Sequence, residues 1–128
     1  MRRGFILPAL LFVAACAAAK PDIIQVGPWF PARPVREVQV FSNREETARP
    51  WGAIAVIHSE KIPVGKKAAL DRQKKLAREL AAGAGADGVI IVEESAANEP
   101  GLVGDQAREA YISALAFKYA ADISTAAR

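Results

Sequence analysis

Residues 66–94 read KKAALDRQKKLARELAAGAGADGVIIVEE, and the fold turns on this stretch. Leu70, Gln73, Leu76, Ala77, Leu80 and Ala81 recur at helical spacing, which predicts a helix over 66–82 with these residues as its buried stripe. Lys66, Lys67, Asp71, Lys74, Lys75, Arg78 and Glu79 are mostly directed away from it. Gly83 stands where a helix would end in a left-handed turn. The run 88–94 then holds four consecutive β-branched residues, the mark of a strand buried on both faces.

Working outward, 35–41 (VREVQVF) alternates as a strand does. Residues 42–50 are polar, end in Pro50 and read as a loop. Residues 51–59 (WGAIAVIHS) form a second strand. Pro63 and Gly65 mark a break before the helix. Residues 95–109 read as a long polar loop with Pro100, Gly101 and Gly104. Residues 110–120 (AYISALAFKYA) give the fourth strand, and 121–128 a frayed tail. The expected fold is therefore a small α+β domain over 35–120, of order β-β-α-β-β, with one helix packed on a four-stranded mixed sheet. Because the helix joins strands two and three, those two are placed to lie parallel through a right-handed crossover.

One helix covers only one face of such a sheet, yet the strands are apolar on both. In the fourth strand Tyr111, Leu115, Phe117 and Tyr119 point one way, and Ile112, Ala114 and Ala116 the other. The small side admits a closely packed helix, so the aromatic side needs another cover. The choices are the Trp29-Phe30 segment, a second copy, a partner protein, or a sheet curled onto itself. Trp29, Phe30, Trp51, Phe117 and Tyr119 are accordingly the candidate partner-binding residues, since rigid aromatics dominate binding hot spots.

The N-terminus carries an address. Met1-Arg2-Arg3 is basic, and 4–15 (GFILPALLFVAA) is apolar and uncharged. Together they have the n-region and h-region of a secretory signal. Twelve apolar residues fall short of the roughly 20 needed to span a bilayer as a helix. Val13-Ala14-Ala15-Cys16 resembles the lipobox of bacterial lipoproteins, in which the thiol takes a diacylglyceryl group and the chain is cut before the cysteine. That resemblance implies cleavage between Ala15 and Cys16 and lipidation of Cys16. The alternative is an ordinary signal cut after Ala17-Ala18-Ala19. Ala17 in place of Asp implies, by the same resemblance, the periplasmic face of the outer membrane. Residues 16–34, with Pro21, Pro28, Pro31 and Pro34, form a stiff extended tether. Its Ile23, Ile24, Val26, Trp29 and Phe30 call for docking somewhere.

The formal charge is +3, from 17 basic and 14 acidic residues. Loss of Arg2 and Arg3 leaves 15 against 14, a net charge of +1, so basicity gives no case for nucleic-acid binding. Cys16 is the sole cysteine, so no internal disulfide can form.

The motifs that might carry chemistry read better as structure. Gly83-Ala84-Gly85-Ala86-Asp87-Gly88 matches G-x-G-x-x-G. It follows a helix and precedes a strand, however, which presents the wrong end of the helix dipole to a nucleotide phosphate. His58 and Glu60 share one strand face and Ser59 the other, so they form no local triad. With one histidine and no second soft ligand, no zinc set is expected. Glu45-Glu46 and Glu93-Glu94 are adjacent acids that point apart on a strand. The basic helix face reads as solvated, with Asp71 and Lys75 as an i,i+4 pair. No cofactor is expected and no enzyme is expected, a cell-wall hydrolase being the remote alternative.

Gly27-Pro28-Trp29-Phe30-Pro31, Val38-Gln39-Val40-Phe41, Arg49-Pro50-Trp51 with Ile54 and Ile57, Leu80-Ala81, and the run 85–91 together resemble the group of small lipoproteins related to the outer-membrane stress sensor of the Rcs phosphorelay. The resemblance spans about 27–120. It implies an envelope lipoprotein, with stress sensing as one possible role. The Rcs sensor is braced by disulfides, for which this chain has no matching cysteine. A more distant similarity to small cytosolic domains named for heavy-metal binding implies sheet-mediated oligomers. The expected function is a lipid-anchored, non-catalytic interaction module of the envelope, partnered by the bilayer and by an envelope protein or its own copy.

Overall fold

The computed structural model describes residues 20–96 and 109–126. The signal segment 1–15, the expected cleavage and lipidation point at Ala15 and Cys16, most of the polar loop (97–108) and residues 127–128 lie outside the described residues.

In chain order the elements are β1 (Asp22–Gln25), a 3-10 turn (Val35–Glu37), β2 (Gln39–Phe41), a second 3-10 turn (Arg44–Glu46), β3 (Trp51–His58), β4 (Ile62–Pro63), α1 (Lys67–Gly83), β5 (Gly88–Ala96), β6 (Glu109–Tyr119) and α2 (Ala120–Ala126). The fold is α+β, a mixed sheet with one main helix. The sheet has six strands rather than four, in the order β1-β3-β6-β5-β2, with β4 also on β6. The pairs β1·β3, β3·β6, β5·β6 and β4·β6 are antiparallel, and β2·β5 is parallel. β3 and β5 run the same way, as the helical crossover requires, but β6 lies between them.

Helix α1 lays Gln73, Ala77, Ala81 and Ala82 onto the sheet. Beneath them sit Ala114 and Ala116 of β6, Ile54, Ala55 and Ile57 of β3, Val89 of β5, and Val38. Small residues on both surfaces let helix and sheet approach closely, and the leucines of the expected stripe flank the contact half-buried. The helix runs one residue past expectation and ends differently. Gly83 stays helical, and the left-handed residue is Gly85 at φ +78°. Its amide bonds Ala82 O (3.0 Å), and the Ala86 amide bonds Ala81 O (3.0 Å). This 5→2 and 6→1 pair is the Schellman closure, which satisfies the last carbonyls.

Three further corrections have local causes. The predicted strand 35–41 shortens to Gln39–Phe41, because Pro34 opens a 3-10 turn in which the Val38 amide returns to Val35 O (3.1 Å). Arg78 of α1 then holds Val38 O through both Nε (3.0 Å) and Nη2 (2.7 Å). The expected tether contributes β1, which pairs along β3 from Asp22 opposite His58 to Gln25 opposite Ala55. Flanking prolines are tolerated there because β1 is an edge strand. The expected tail forms α2, whose first amide bonds Pro50 O (3.0 Å).

Candidate functional site

Residues directly opposite in antiparallel pairs share a face, so the register lays out the second side of the sheet row by row. Across the middle run Ile24 of β1, Val56 of β3, Leu115 of β6, Ile90 of β5 and Phe41 of β2. One step along β6, toward its end, Phe117 lies between Ala53 and Gly88, and beyond it Tyr119 pairs with Trp51. In the other direction come Asp22, His58, Ser113 and Val92, then Tyr111 with Glu94, then Glu109 with Ala96.

This face divides into three zones. At the aromatic end, Phe117 is fully buried among Phe41 (ring centroids 5.7 Å), Trp51 (4.9 Å) and Tyr119 (5.5 Å). Gly88 supplies the room, since a Cβ there would strike the Phe117 ring. The loop 42–50 folds beside this cluster. It carries Arg44 5.5 Å from the Trp51 ring centre and Arg49 3.6 Å from that of Tyr119, which are cation–π distances. Asn43 caps the second 3-10 turn by accepting from the Glu46 amide (2.9 Å), which fixes the loop's shape.

The middle zone is aliphatic and bare. Ile24 is 56% exposed and Val92 40%, with Val56 and Leu115 half-buried. Between this floor and residues 42–44 of the loop lies an open cavity of about 480 Å³. The far end is polar: Asp22, His58 and Glu94 are exposed, and the Tyr111 hydroxyl donates to the Glu94 carboxylate. That hydrogen bond, with the nearby negative charge, pushes the Tyr111 phenol above its ordinary range.

The five aromatics singled out from sequence therefore fall in two places. Trp51, Phe117 and Tyr119 gather on the bare face, where Phe117 and Tyr119 are core rather than contact surface. Phe30 lies on the helix side, and Trp29 stands beside it at the edge of β3, 43% exposed. The Trp29 indole donates to Ile54 O (3.0 Å), and the Phe30 amide bonds Ala84 O (3.0 Å). Phe30 packs so close to Gly85 that a Cβ there would lie 2.6 Å from Phe30 O. The Trp29-Phe30 segment thus covers the end of α1, not the aromatic face, because the left-handed turn at Gly85 offers it a backbone groove.

Sequence reasoning missed Asp87. It is 6% exposed, at the turn from α1 to β5. Its carboxylate pairs with Arg33, lies 3.2 Å from Lys118 Nζ and accepts from the Tyr119 amide (2.9 Å). Lys118 also donates to Gly85 O (3.0 Å) and stands over the Phe30 ring. Asp87 thereby ties together the N-terminal segment, the turn and β6. A charged residue set between two apolar elements was the available signal. Burial alone would push the Asp87 carboxyl up, but the Tyr119 amide, Asp122 and Lys118 outweigh it and hold it below its ordinary value of 3.8.

Asp122 on α2 moves oppositely: its hydrogen bond to Asp87 and that residue's charge raise it. A raised carboxyl contributes stability while protonated and loses it as pH rises through the raised value. Asp122→Asn keeps a neutral donor at every pH. Its midpoint of thermal unfolding should therefore exceed the parent's at pH 7 by about 2 °C, in the range of surface substitutions. The difference should vanish near pH 3, and a lower midpoint at pH 7 contradicts the assignment.

Among the described residues, no group of three His, Cys, Asp or Glu side chains could hold a metal ion, and no helix is long and apolar enough to cross a membrane.

Fold and face together define a small α+β domain with one main helix, whose sheet is covered on one side and bare over the middle of the other. No family model and no curated protein matches the chain. Among solved structures it is similar to the crystal structure of a Francisella virulence factor, FvfA, in an orthorhombic form. The TM-score is 0.51 at 18% identity, covering 77% of this chain and 97% of that one. A likeness of this order speaks for the fold alone.

Proposed function

We propose that the chain is a lipoprotein of the bacterial envelope, anchored through Cys16 at the periplasmic face of the outer membrane, and that it acts there as a non-catalytic docking module. The observation that carries the docking role is the aliphatic patch of Ile24 and Val92, both exposed, with half-buried Val56 and Leu115 between them, on a domain whose other sheet face is closed by α1 and the N-terminal segment. Contiguous apolar surface of this kind marks interaction sites. The anchoring role rests on the signal-like segment ending at Val13-Ala14-Ala15-Cys16.

Each buried CH₂ of an acyl chain contributes about 0.8 kcal/mol, and two chains hold a protein where one does not. Wild-type protein should therefore follow the detergent phase in a two-phase extraction and label with radioactive palmitate. Cys16→Ser should do neither, with about tenfold or more of the protein shifting to the aqueous or unprocessed fraction. Unchanged partitioning of Cys16→Ser would remove the anchor from the proposal.

A further inference from the structure

We infer that the anchored domain lies against the bilayer along one edge of its sheet, with Ile24, Val26 and Trp29 seated at the boundary between phospholipid headgroups and acyl chains. This rests on the Cys16 anchor just proposed and adds which surface the anchor brings down.

Exposure and the lack of charge carry it. Residues 23–32 (IIQVGPWFPA) hold no charged side chain. Seven large apolar side chains are exposed among the described residues, and three of them, Ile24, Val26 (52%) and Trp29, stand in this run. Ile24 is on the edge strand β1, Val26 follows two residues on, and Trp29 three beyond that. The run is fixed to the sheet, since the Val26 amide (3.1 Å), the Gly27 amide (3.2 Å) and the Trp29 indole (3.0 Å) all donate to Ile54 O. The indole has thus spent its one donor inside the protein, and what it shows to solvent is carbon. Gln25, the polar side chain of the run, is turned back onto Gly27 O (3.0 Å). The charges that bracket the run cancel. Lys20 and Asp22 precede it, and Arg33 after it pairs with Asp87 and Glu37.

Reach agrees with chemistry. Pro21, five steps along the chain from Cys16, is buried in the domain. A chain spans at most about 3.6 Å per residue, so the lipidated residue holds Pro21 within about 18 Å. The uncharged run begins two residues later. The opposite edge of the sheet is β2, at the far end of the order β1-β3-β6-β5-β2, about 19 Å away at the spacing of paired strands. Its Val40 is nearly as exposed as Val26, at 50%, but shares its surroundings with Lys74, Lys75 and Arg78. An uncharged apolar ridge beside the anchor suits the interface, where apolar side chains sink about 5–10 Å and tryptophan is enriched. Ile24 is also the margin of the bare patch. The bilayer takes that margin and leaves Val56, Leu115 and Val92 to a protein.

The test is fluorescence quenching by lipid in the mature, acylated chain. Acylated Cys16 has no free thiol, so the cysteine placed by Val26→Cys or Val40→Cys is the only one that a maleimide dye can take. Both positions are exposed, so neither change reaches the core. Each labelled protein is reconstituted in phosphatidylcholine vesicles whose acyl chains are brominated near the headgroup, and the vesicles are floated. The dye at 26 should lose about half of its emission or more, as a group sunk into the interface does. The dye at 40 should keep its emission, which also controls for the dye's own affinity for lipid. Equal quenching at the two positions overturns the inference. So does quenching that appears only when phosphatidylglycerol replaces phosphatidylcholine, because the run bears no charge. Floated protein with neither dye quenched overturns it and leaves the anchor standing, whereas protein that does not float overturns both. A dye at 26 that is shielded in cell envelopes but not in vesicles gives the ridge to a protein partner and overturns the inference as well.

Discussion

Asp87→Asn is expected to cost about 3 kcal/mol or more, because it removes the buried negative charge that Arg33 and Lys118, the latter only 12% exposed, share. For a domain of this size that lowers the midpoint of thermal unfolding by about 10–20 °C. Asparagine has nearly the same shape and can still accept from the Tyr119 amide, so the loss reports the charge rather than the volume. Removing Lys118 as well, in Asp87→Asn with Lys118→Met, should recover a good part of it, since a buried pair replaced as a unit is far cheaper than one broken. Acid should act in the same sense. The folded Asp87 carboxyl titrates below its unfolded counterpart, so its contribution is complete above the ordinary value of 3.8 and fades as pH falls through the depressed one. Circular dichroism melts from pH 7 to pH 3 should show this decline in the wild type and less of it in Asp87→Asn. An unchanged melting midpoint for Asp87→Asn at pH 7 would mean that the cluster contributes nothing to stability.

Phe117→Ala should be as costly, at about 3–5 kcal/mol by urea unfolding. Its ring has no exposure and touches three others, so truncation opens a hole in the smaller core and forfeits the edge and tilted ring contacts. The experiment also decides what the residue is for. A Phe117→Ala protein with unchanged stability would make Phe117 a surface contact residue and not a core one. Phe117→Leu, which keeps most of the volume, should fall between the two.

Helix α1 and strands β3, β5 and β6 were legible because their apolar periodicity is regular: Ala77 and Ala81 one turn apart, an unbroken Val-Ile-Ile-Val run, and Ala114 and Ala116 against Leu115 and Phe117. β1 was hidden because four residues between prolines carry no periodic signal, and only pairing with β3 makes Ile23 and Ile24 a strand. β2 was overread, since Val35 and Glu37 alternate correctly but Pro34 turns them out of the sheet. Gly83 and Gly85 compete for the same capping role. The choice depends on whether Phe30 can lie against the turn, a contact across more than fifty residues. The apolar excess on the second face was visible in composition along β6. Its division into aromatic, aliphatic and polar zones was not, because it depends on register among five strands.

The position of β6 in the sheet has one more consequence. It is the last strand in chain order and the middle one in space, between β3 and β5. Until residues 109–119 have left the ribosome, the nascent chain can form only the β1·β3 ribbon and the parallel β2·β5 pair, and two-stranded pieces are marginal in water. Closure waits on contacts remote in sequence, which slows folding. The sheet is thereby kept open until β6 has emerged, which suits the threading through a translocation channel that the proposed envelope placement would require.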